Sequence, residues 1–232
     1  MADQSSANFD EMLTRLTPAD RAAIRARMTL RSYEPRQQIF GQNEDNNRFM
    51  VVESGRVRTF SLALDGHEIT TGIWSAGFSL GLISGLAGVP RVLSCEAIDR
   101  TTVRILTMAE LQFLVNRIPQ LGFELAKLIA GSAAKSIARA ALFSTTSVRG
   151  RLIATLVSLG DLPDARTGPD SAVVTGLSHE DIASLVRASR PWISLTIREL
   201  EEQGYLRLGR MQIEIPSLTA LASADSETAF VE

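Results

Sequence analysis

Arg187, Arg190, Arg198, Arg207 and Arg210 fall within one short C-terminal stretch, together with Ser189, Ser194 and His179. A guanidinium stays charged and offers a planar fork of donors that fits phosphate oxygens and the O6 and N7 atoms of guanine. Hydroxyls and an imidazole beside such forks suit the binding of a polyanion. Bond-making chemistry is not suggested elsewhere: the chain has 2 His and 1 Cys in 232 residues. None of His67, His179 and Cys95 has neighbours in sequence that complete a nucleophile–base pair, a metal or haem pair, or an iron–sulfur cluster. Gly81, Gly85 and Gly88 do not fit the dinucleotide fingerprint and read as turn glycines. The expectation is a binding protein that is not an enzyme, with no metal and no resident cofactor.

Two short helices must position these groups. Ile182, Leu185 and Val186, then Ile193, Ile197 and Leu200, recur at helical spacing and turn one face of each helix inward. Ser178 followed by Asp181 is a capping-box start for the first helix. Ser189 caps the second, Pro191 is tolerated in its first turn, and Gly204 stops it. With the core positions assigned, Arg190, Pro191, Ser194, Leu195 and Arg198 lie on the outer face of the second helix. Arg187 sits in the turn, where a left-handed conformation costs a non-glycine residue on the order of 1 kcal/mol. Alternating apolar residues from Tyr205 to Ile215 around a Gly209 turn make a small hairpin. This is a winged helix-turn-helix, whose second helix enters the DNA major groove.

Ser189-Arg190-Pro191 and Leu200-Glu201-Glu202-Gln203-Gly204 closely resemble the Crp/Fnr family of bacterial transcription regulators. The resemblance implies that Arg190 reads a base. Arg198 reads as a phosphate contact, Ser189 can bond a phosphate as well as cap the helix, and Arg210 adds to the basic face from the wing; Arg187 either contacts phosphate or marks a different turn, and His179 is either a surface histidine or a phosphate contact. Two departures bear on the target. Many members carry a glutamate where this chain has Pro191, which cannot accept from cytosine N4, and Leu195 replaces a polar base reader and could touch only a thymine methyl. Trp192 either wedges against the wing or preceding helix or lies on the backbone.

The N-terminal half reads differently. Thr17-Pro18 opens a helix from Leu16 to Met28, and then short β-branched or aromatic segments follow at about ten-residue spacing between glycine turns. Val51 to Val57, Gly77 and Gly81 through Arg91 resemble the family's sensor, the cyclic-nucleotide-binding fold. In nucleotide binders of that fold a glycine–glutamate pair holds the ribose and an arginine–serine pair the cyclic phosphate. Gly81 and Arg91 stand at matching places, across an intervening loop from Leu82 to Pro90. Leu82 replaces the glutamate, and Val92 follows the arginine. Ser136 matches a base-contacting hydroxyl, but Ile137 replaces its polar neighbour. A lost ribose acceptor leaves two hydroxyls unpaired at roughly 1–3 kcal/mol each. Cyclic AMP is therefore not the expected effector, and neither are haem or an iron–sulfur cluster; the effector, if one exists, stays open.

After a helix at Met108 to Asn116, Pro119 starts a second that runs to about Phe143, roughly 37 Å at 1.5 Å per residue. Heptad-spaced stripes on it include Leu125, Ile129, Ser132, Ala133, Ser136 and Ala140. One packs on the β-roll and the other meets a second copy, as the resemblance implies for a dimer helix. Ser144 to Ser147 is a polar hinge. The fold class is thus α+β: residues 1–115 a β-roll of jelly-roll type, 116–144 a dimerisation helix, 145–222 a winged helix, and 223–232 a disordered tail. The formal net charge is -2, so any DNA affinity rests on a local basic face. No window approaches the roughly 20 apolar residues of a membrane helix, and no export signal is visible, which places the protein in the cytoplasm. The expected partners are double-stranded DNA, a second copy and, for an activator, RNA polymerase. A signalling module whose winged helix docks a protein is the alternative, and salt dependence separates the two.

Overall fold

Phe49-Met50-Val51-Val52 is an unbroken apolar run, and successive side chains of a strand point to opposite faces, so such a strand needs cover on both. In β3 (Arg48–Ser54), Phe49 and Val51 pack among Phe9, Leu82, Leu106, Leu111 and Leu121, whereas Met50 and Val52 pack among Tyr33, Phe40, Val57, Leu80 and Cys95. One cluster lies between strands and helices, the other inside the roll.

The computed structural model describes residues 8–63 and 68–227. His67, the Asp65-Gly66 turn and residues 228–232 lie outside the described residues. The chain divides into two compact units, with the main boundary between residues 138 and 139 and residues 68–71 grouped with the second. In the first, β1 (Thr29–Tyr33), β8 (Thr101–Thr107), β3 and β6 (Ser79–Leu80) form one four-stranded sheet in the order β1-β8-β3-β6. The other sheet runs β2-β7-β4-β5, from β2 (Gln38–Phe40), β7 (Ser94–Ala97), β4 (Val57–Leu62) and β5 (Glu68–Trp74). Short strands with glycine turns predict this roll. The glycines at the turns earn their place: Gly55 has φ 79°, and a Cβ there would stand 2.5 Å from the Arg100 carbonyl oxygen.

Helices cover one side. α1 (Phe9–Thr14) was not signalled by periodicity; Asn8 caps it by accepting from the amides of Asp10 and Glu11, and Phe9 and Leu13 are fully buried. α2 (Pro18–Arg25) has the expected Thr17 cap but ends before Met28. The segment read as a loop from Leu82 to Pro90 contains α3 (Leu82–Ala87), a correction owed to Gly81 and Gly88, whose left-handed backbones bracket a single short helix. Thr107 and Glu110 form a capping box at α4 (Met108–Arg117).

α5 (Pro119–Thr145) has two characters. Leu121, Leu125 and Leu128 are buried against the roll and its helices, with Ile129 partly so. Leu125, placed on the heptad stripes from the sequence, is buried within its own chain, in one cluster with residues of α1 and α4. Glu124 is 2% exposed yet ionised, its carboxyl held below the usual range by Lys127 Nζ at 2.8 Å, against the opposing effect of burial and with help from Arg15 at 3.3 Å. Further along, Ala133, Ser136 and Ala140 are exposed, and Ile137 is 71% exposed. The helix runs through Ser144 and Thr145, so the hinge is shorter than the polar sequence suggests; Thr145 Oγ1 donates back to the Ala141 carbonyl at 2.9 Å, keeping the turn helical. Ser147 caps the next helix, α6 (Val148–Gly160).

The second unit adds β9 (Ala172–Thr175), α7 (His179–Val186), α8 (Arg190–Glu202), β10 (Arg207–Gly209), β11 (Gln212–Ile215) and α9 (Leu218–Glu227), with sheet order β10-β11-β9. Gly209 is not the turn of the hairpin: it pairs with Gln212, and Arg210 and Met211 make the reversal, Met211 at φ 53°. The tail assignment also fails between residues 223 and 227. Leu218, Leu221 and Ala224 form a buried stripe of α9, and Asp170 accepts from Ser217 Oγ at 2.5 Å and from the Thr219 amide at 3.0 Å. Replacing the fully buried Leu221 by alanine should lower the unfolding free energy by about 2–5 kcal/mol. Chemical denaturation checks this, and an unchanged midpoint would mean that α9 does not pack.

Candidate nucleic-acid interface

The recognition unit is fixed from its turn. Ser178 Oγ accepts from the Asp181 amide at 3.2 Å, and the Asp181 carboxylate accepts from the Ser178 amide at 2.8 Å, which starts α7 as the capping box requires. Arg187 ends it in the left-handed conformation, φ 56° and ψ 55°. The Ala188 amide then closes on the Ala183 carbonyl at 3.0 Å, a helix end that glycine usually supplies. Ser189 opens α8, its hydroxyl accepting from the Trp192 amide at 3.4 Å.

Ile193, Ile197 and Leu200 of α8 are fully buried, as their spacing requires, and Thr196 joins them at 3% exposure. The opposite face carries the residues singled out from the sequence. Ser189, Arg190, Pro191, Leu195 and Arg198 are exposed, with Ser194 half-buried between them. Arg190, Ser194 and Arg198 follow one another at four-residue intervals and so line one edge of the helix. Arg187 and Arg210 are exposed on the turn and at the wing tip. Trp192 is half-buried.

His179 does not stand as a free surface histidine. Its Nδ1 lies 2.8 Å from Ser194 Oγ, and partial burial first, then the charges of Arg190 and Arg198, push the imidazole below the ordinary histidine value. Sequence spacing carries no signal for this pair, which is fifteen residues apart on different helices. Two further arginines support the unit. Arg149 donates to Gln203 Oε1 at 2.8 Å and pairs with Glu199 at 3.5 Å, and Arg151 Nε donates to the Val186 carbonyl at 3.1 Å. The wing is tied down by Glu201, which accepts from the Leu208 amide at 2.8 Å, and by the cross-strand Arg207–Glu214 pair at 3.0 Å.

The sensor residues form a different picture. Arg91 is 3% exposed, lies over the Phe40 ring at 4.0 Å and donates through Nη2 to the Arg48 carbonyl at 3.0 Å. Burial pushes its guanidinium below the ordinary arginine value. Gly81, at φ 77°, leaves it room: a Cβ there would be 1.9 Å from Arg91 Nη1. Leu82 is buried in the helix-facing cluster, and Val92 is 59% exposed. Ser136 is exposed and donates to the Ser132 carbonyl at 3.0 Å. No carboxylate stands at Leu82. Cys95 is wholly buried, and burial raises its thiol pKa, so it packs as a small apolar side chain. Among the described residues no cluster of potential ligands could hold a metal ion, and no helix is long and apolar enough to cross a membrane.

A β-roll followed by a winged helix presenting a basic outer face defines a class of helix-turn-helix transcription regulator. The chain matches the cyclic nucleotide-binding domain over residues 30–117 and the Crp-like helix-turn-helix domain over residues 150–224. It is similar to the "Cyclic AMP receptor protein" of Thermus thermophilus, 28% identical over 80% of this chain and 82% of that one. It is also similar to the "CRP-like cAMP-activated global transcriptional regulator" of Mycobacterium tuberculosis, 26% identical over 92% and 98%. Among solved structures, FixK2 of Bradyrhizobium japonicum shares the fold, with TM-score 0.76 and 23% identity over 85% of this chain and 97% of that one. The chain belongs to the Crp/Fnr family of transcription regulators.

The strained turn gives a test. Arg187→Gly should raise thermal stability by less than about 1 kcal/mol, the left-handed penalty relieved being partly offset by glycine's larger unfolded-state entropy. Differential scanning calorimetry reads the sign, and a lower melting temperature would show that the Arg187 side chain holds the turn.

Proposed function

We propose that this regulator binds a two-fold DNA operator as a homodimer, each α8 entering one major groove, and that cyclic AMP does not control it. The observation that carries the reading is the edge formed by Arg190, Ser194 and Arg198, backed by a fully buried opposite face. Arg190 and Arg198 form no ion pair among the described residues, so their charge is available to DNA. Arg190 reads guanine, Arg198, Ser189 and Arg187 hold phosphates, and Arg210 reaches the backbone from the wing. Pro191 and Leu195 offer no polar base contact, so the operator differs from one read by a polar residue at those places.

The exposed, small-residue part of α5, with Ser132, Ala133, Ser136 and Ala140, supports dimerisation there, with Ile129 at its margin. Two copies would set the recognition helices about one helical turn apart, roughly 34 Å. In this reading residues 1–115 form the sensor, 116–144 the dimer helix and the following residues the DNA-binding domain, in the cytoplasm, with RNA polymerase as partner at promoters where the site activates. Two relatives carry cyclic AMP in their names, but Leu82 lacks the carboxylate that would accept from the ribose hydroxyls, and Val92 lacks the hydroxyl that would donate to the cyclic phosphate. Arg91 favours a second reading of the sensor: its Nη1 is buried without a hydrogen-bond partner, which suits an anionic effector that lacks a ribose.

Arg190→Ala should abolish specific operator binding and leave the dimer intact, as read by a salt-matched titration alongside light scattering; unchanged affinity would remove Arg190 from base reading. Selection from a random duplex library should enrich the same palindrome with and without cyclic AMP. Enrichment only with the nucleotide would overturn the assignment of Leu82. A nucleic-acid affinity with little salt dependence would favour a winged helix that docks a protein.

A further inference from the structure

Ser194 sits in the middle of the edge that the operator reading turns to the bases, and it is the one member of that edge held by another element. The 2.8 Å contact to His179 Nδ1 joins a hydroxyl, with one proton and two lone pairs, to a nitrogen that either donates or accepts. Only one of the two can supply the shared proton. An imidazole carrying its proton on Nε2, where a DNA phosphate would favour it, accepts the Ser194 proton at Nδ1, and the hydroxyl then turns a lone pair outward. A doubly protonated ring donates from Nδ1, and the Ser194 O–H is released to point outward as a donor. In the major groove these two states select different bases. An outward acceptor receives from cytosine N4 or adenine N6, and an outward donor bonds guanine O6 or N7, thymine O4 or adenine N7, so cytosine against guanine or thymine separates the two states.

We propose that His179 is a positioning residue for base reading: through Nδ1 it sets the hydrogen-bond polarity of Ser194, and thereby the base preferred opposite Ser194 in each half-site. The inference rests on the operator reading given above. His179 faces Arg190 and Arg198 on α8, while its own helix contributes exposed Glu180 and the Asp181 carboxylate, which the Ser178 cap engages. Because burial and the two arginines depress the imidazole, the free protein carries a neutral His179 at pH 7. Phosphates of a bound duplex oppose those two charges and raise it again. Binding to a site that needs an outward donor therefore takes up a proton, and its affinity rises as pH falls through the interval between the free and bound values.

The test uses the full chain, its selected palindrome, and duplexes with each base substituted along one half-site, titrated at pH 8 and pH 5.5 at matched salt. The wild type should shift its preference at one base pair by about tenfold, from cytosine on the read strand at pH 8 towards guanine or thymine at pH 5.5. Ser194→Ala should lose the preference at that pair at both pH values. His179→Asn, which keeps a polar atom near Nδ1 but does not titrate, should hold one preference throughout. The two substitutions approach the bond from opposite sides, so misfolding of one leaves the other decisive. A wild-type pattern identical at both pH values, or a shift that survives in Ser194→Ala, overturns the proposal with operator binding intact. A wild type that enriches no sequence from the library overturns the operator reading, and this inference with it.

Discussion

Burying Ile193, Ile197 and Leu200 against the rest of the second unit is the constraint on which the interface depends. A helix with one face locked into a core cannot rotate, so its opposite edge is presented at a fixed angle, and along that edge Ser194 is held further by His179. The turn through Arg187, with Arg151 bonded to the Val186 carbonyl just before it, and the tethers at Arg149 and Glu201 restrain the same helix further. The arginines of the outer face are left free because the restraint comes from elsewhere.

The β-roll follows a comparable logic with both sides of one strand. β3 is apolar at four successive positions because it separates two clusters, and its odd and even residues belong to different cores. Leu80 and Leu82 repeat the division across a single glycine, one inside the roll and the other among the helices. A sensor assembled this way has no spare apolar surface at Leu82: that side chain is already part of the packing that joins α3 to β3 and the helices.

Periodicity made the larger elements legible. The winged helix could be read because Ser178, Arg187, Ser189 and Gly204 are local punctuation, each acting within a few residues of itself. The strands of the roll could be read because glycine turns separate them. What escaped depends on partners far away in sequence. Beyond a helical turn from Ser217 to Leu221, the second half of α9 looks like a polar tail until Asp170, 47 residues before Ser217, anchors the start of the helix. The burial of Leu125 within its own chain depends on α1, itself too short to show a period, joining it in one cluster. The site was legible residue by residue, since the exposed set of α8 follows from its buried set. The contact between His179 and Ser194 was not, because it depends on how α7 and α8 cross.

Pro191 has a consequence for how the recognition helix meets the sugar–phosphate chain. The first turn of a helix ordinarily offers several unpaired amides, which bind anions well. Here Pro191 has no N–H, Ser189 Oγ takes the Trp192 amide, and the Ser189 carbonyl takes that of Ile193. Little of the main chain is left to grip a phosphate at this end of α8. The hold must come from long, rotatable guanidinium arms, which can follow a duplex as it bends or narrows. The protein should then tolerate variation in the shape of its site better than variation in the bases its side chains touch.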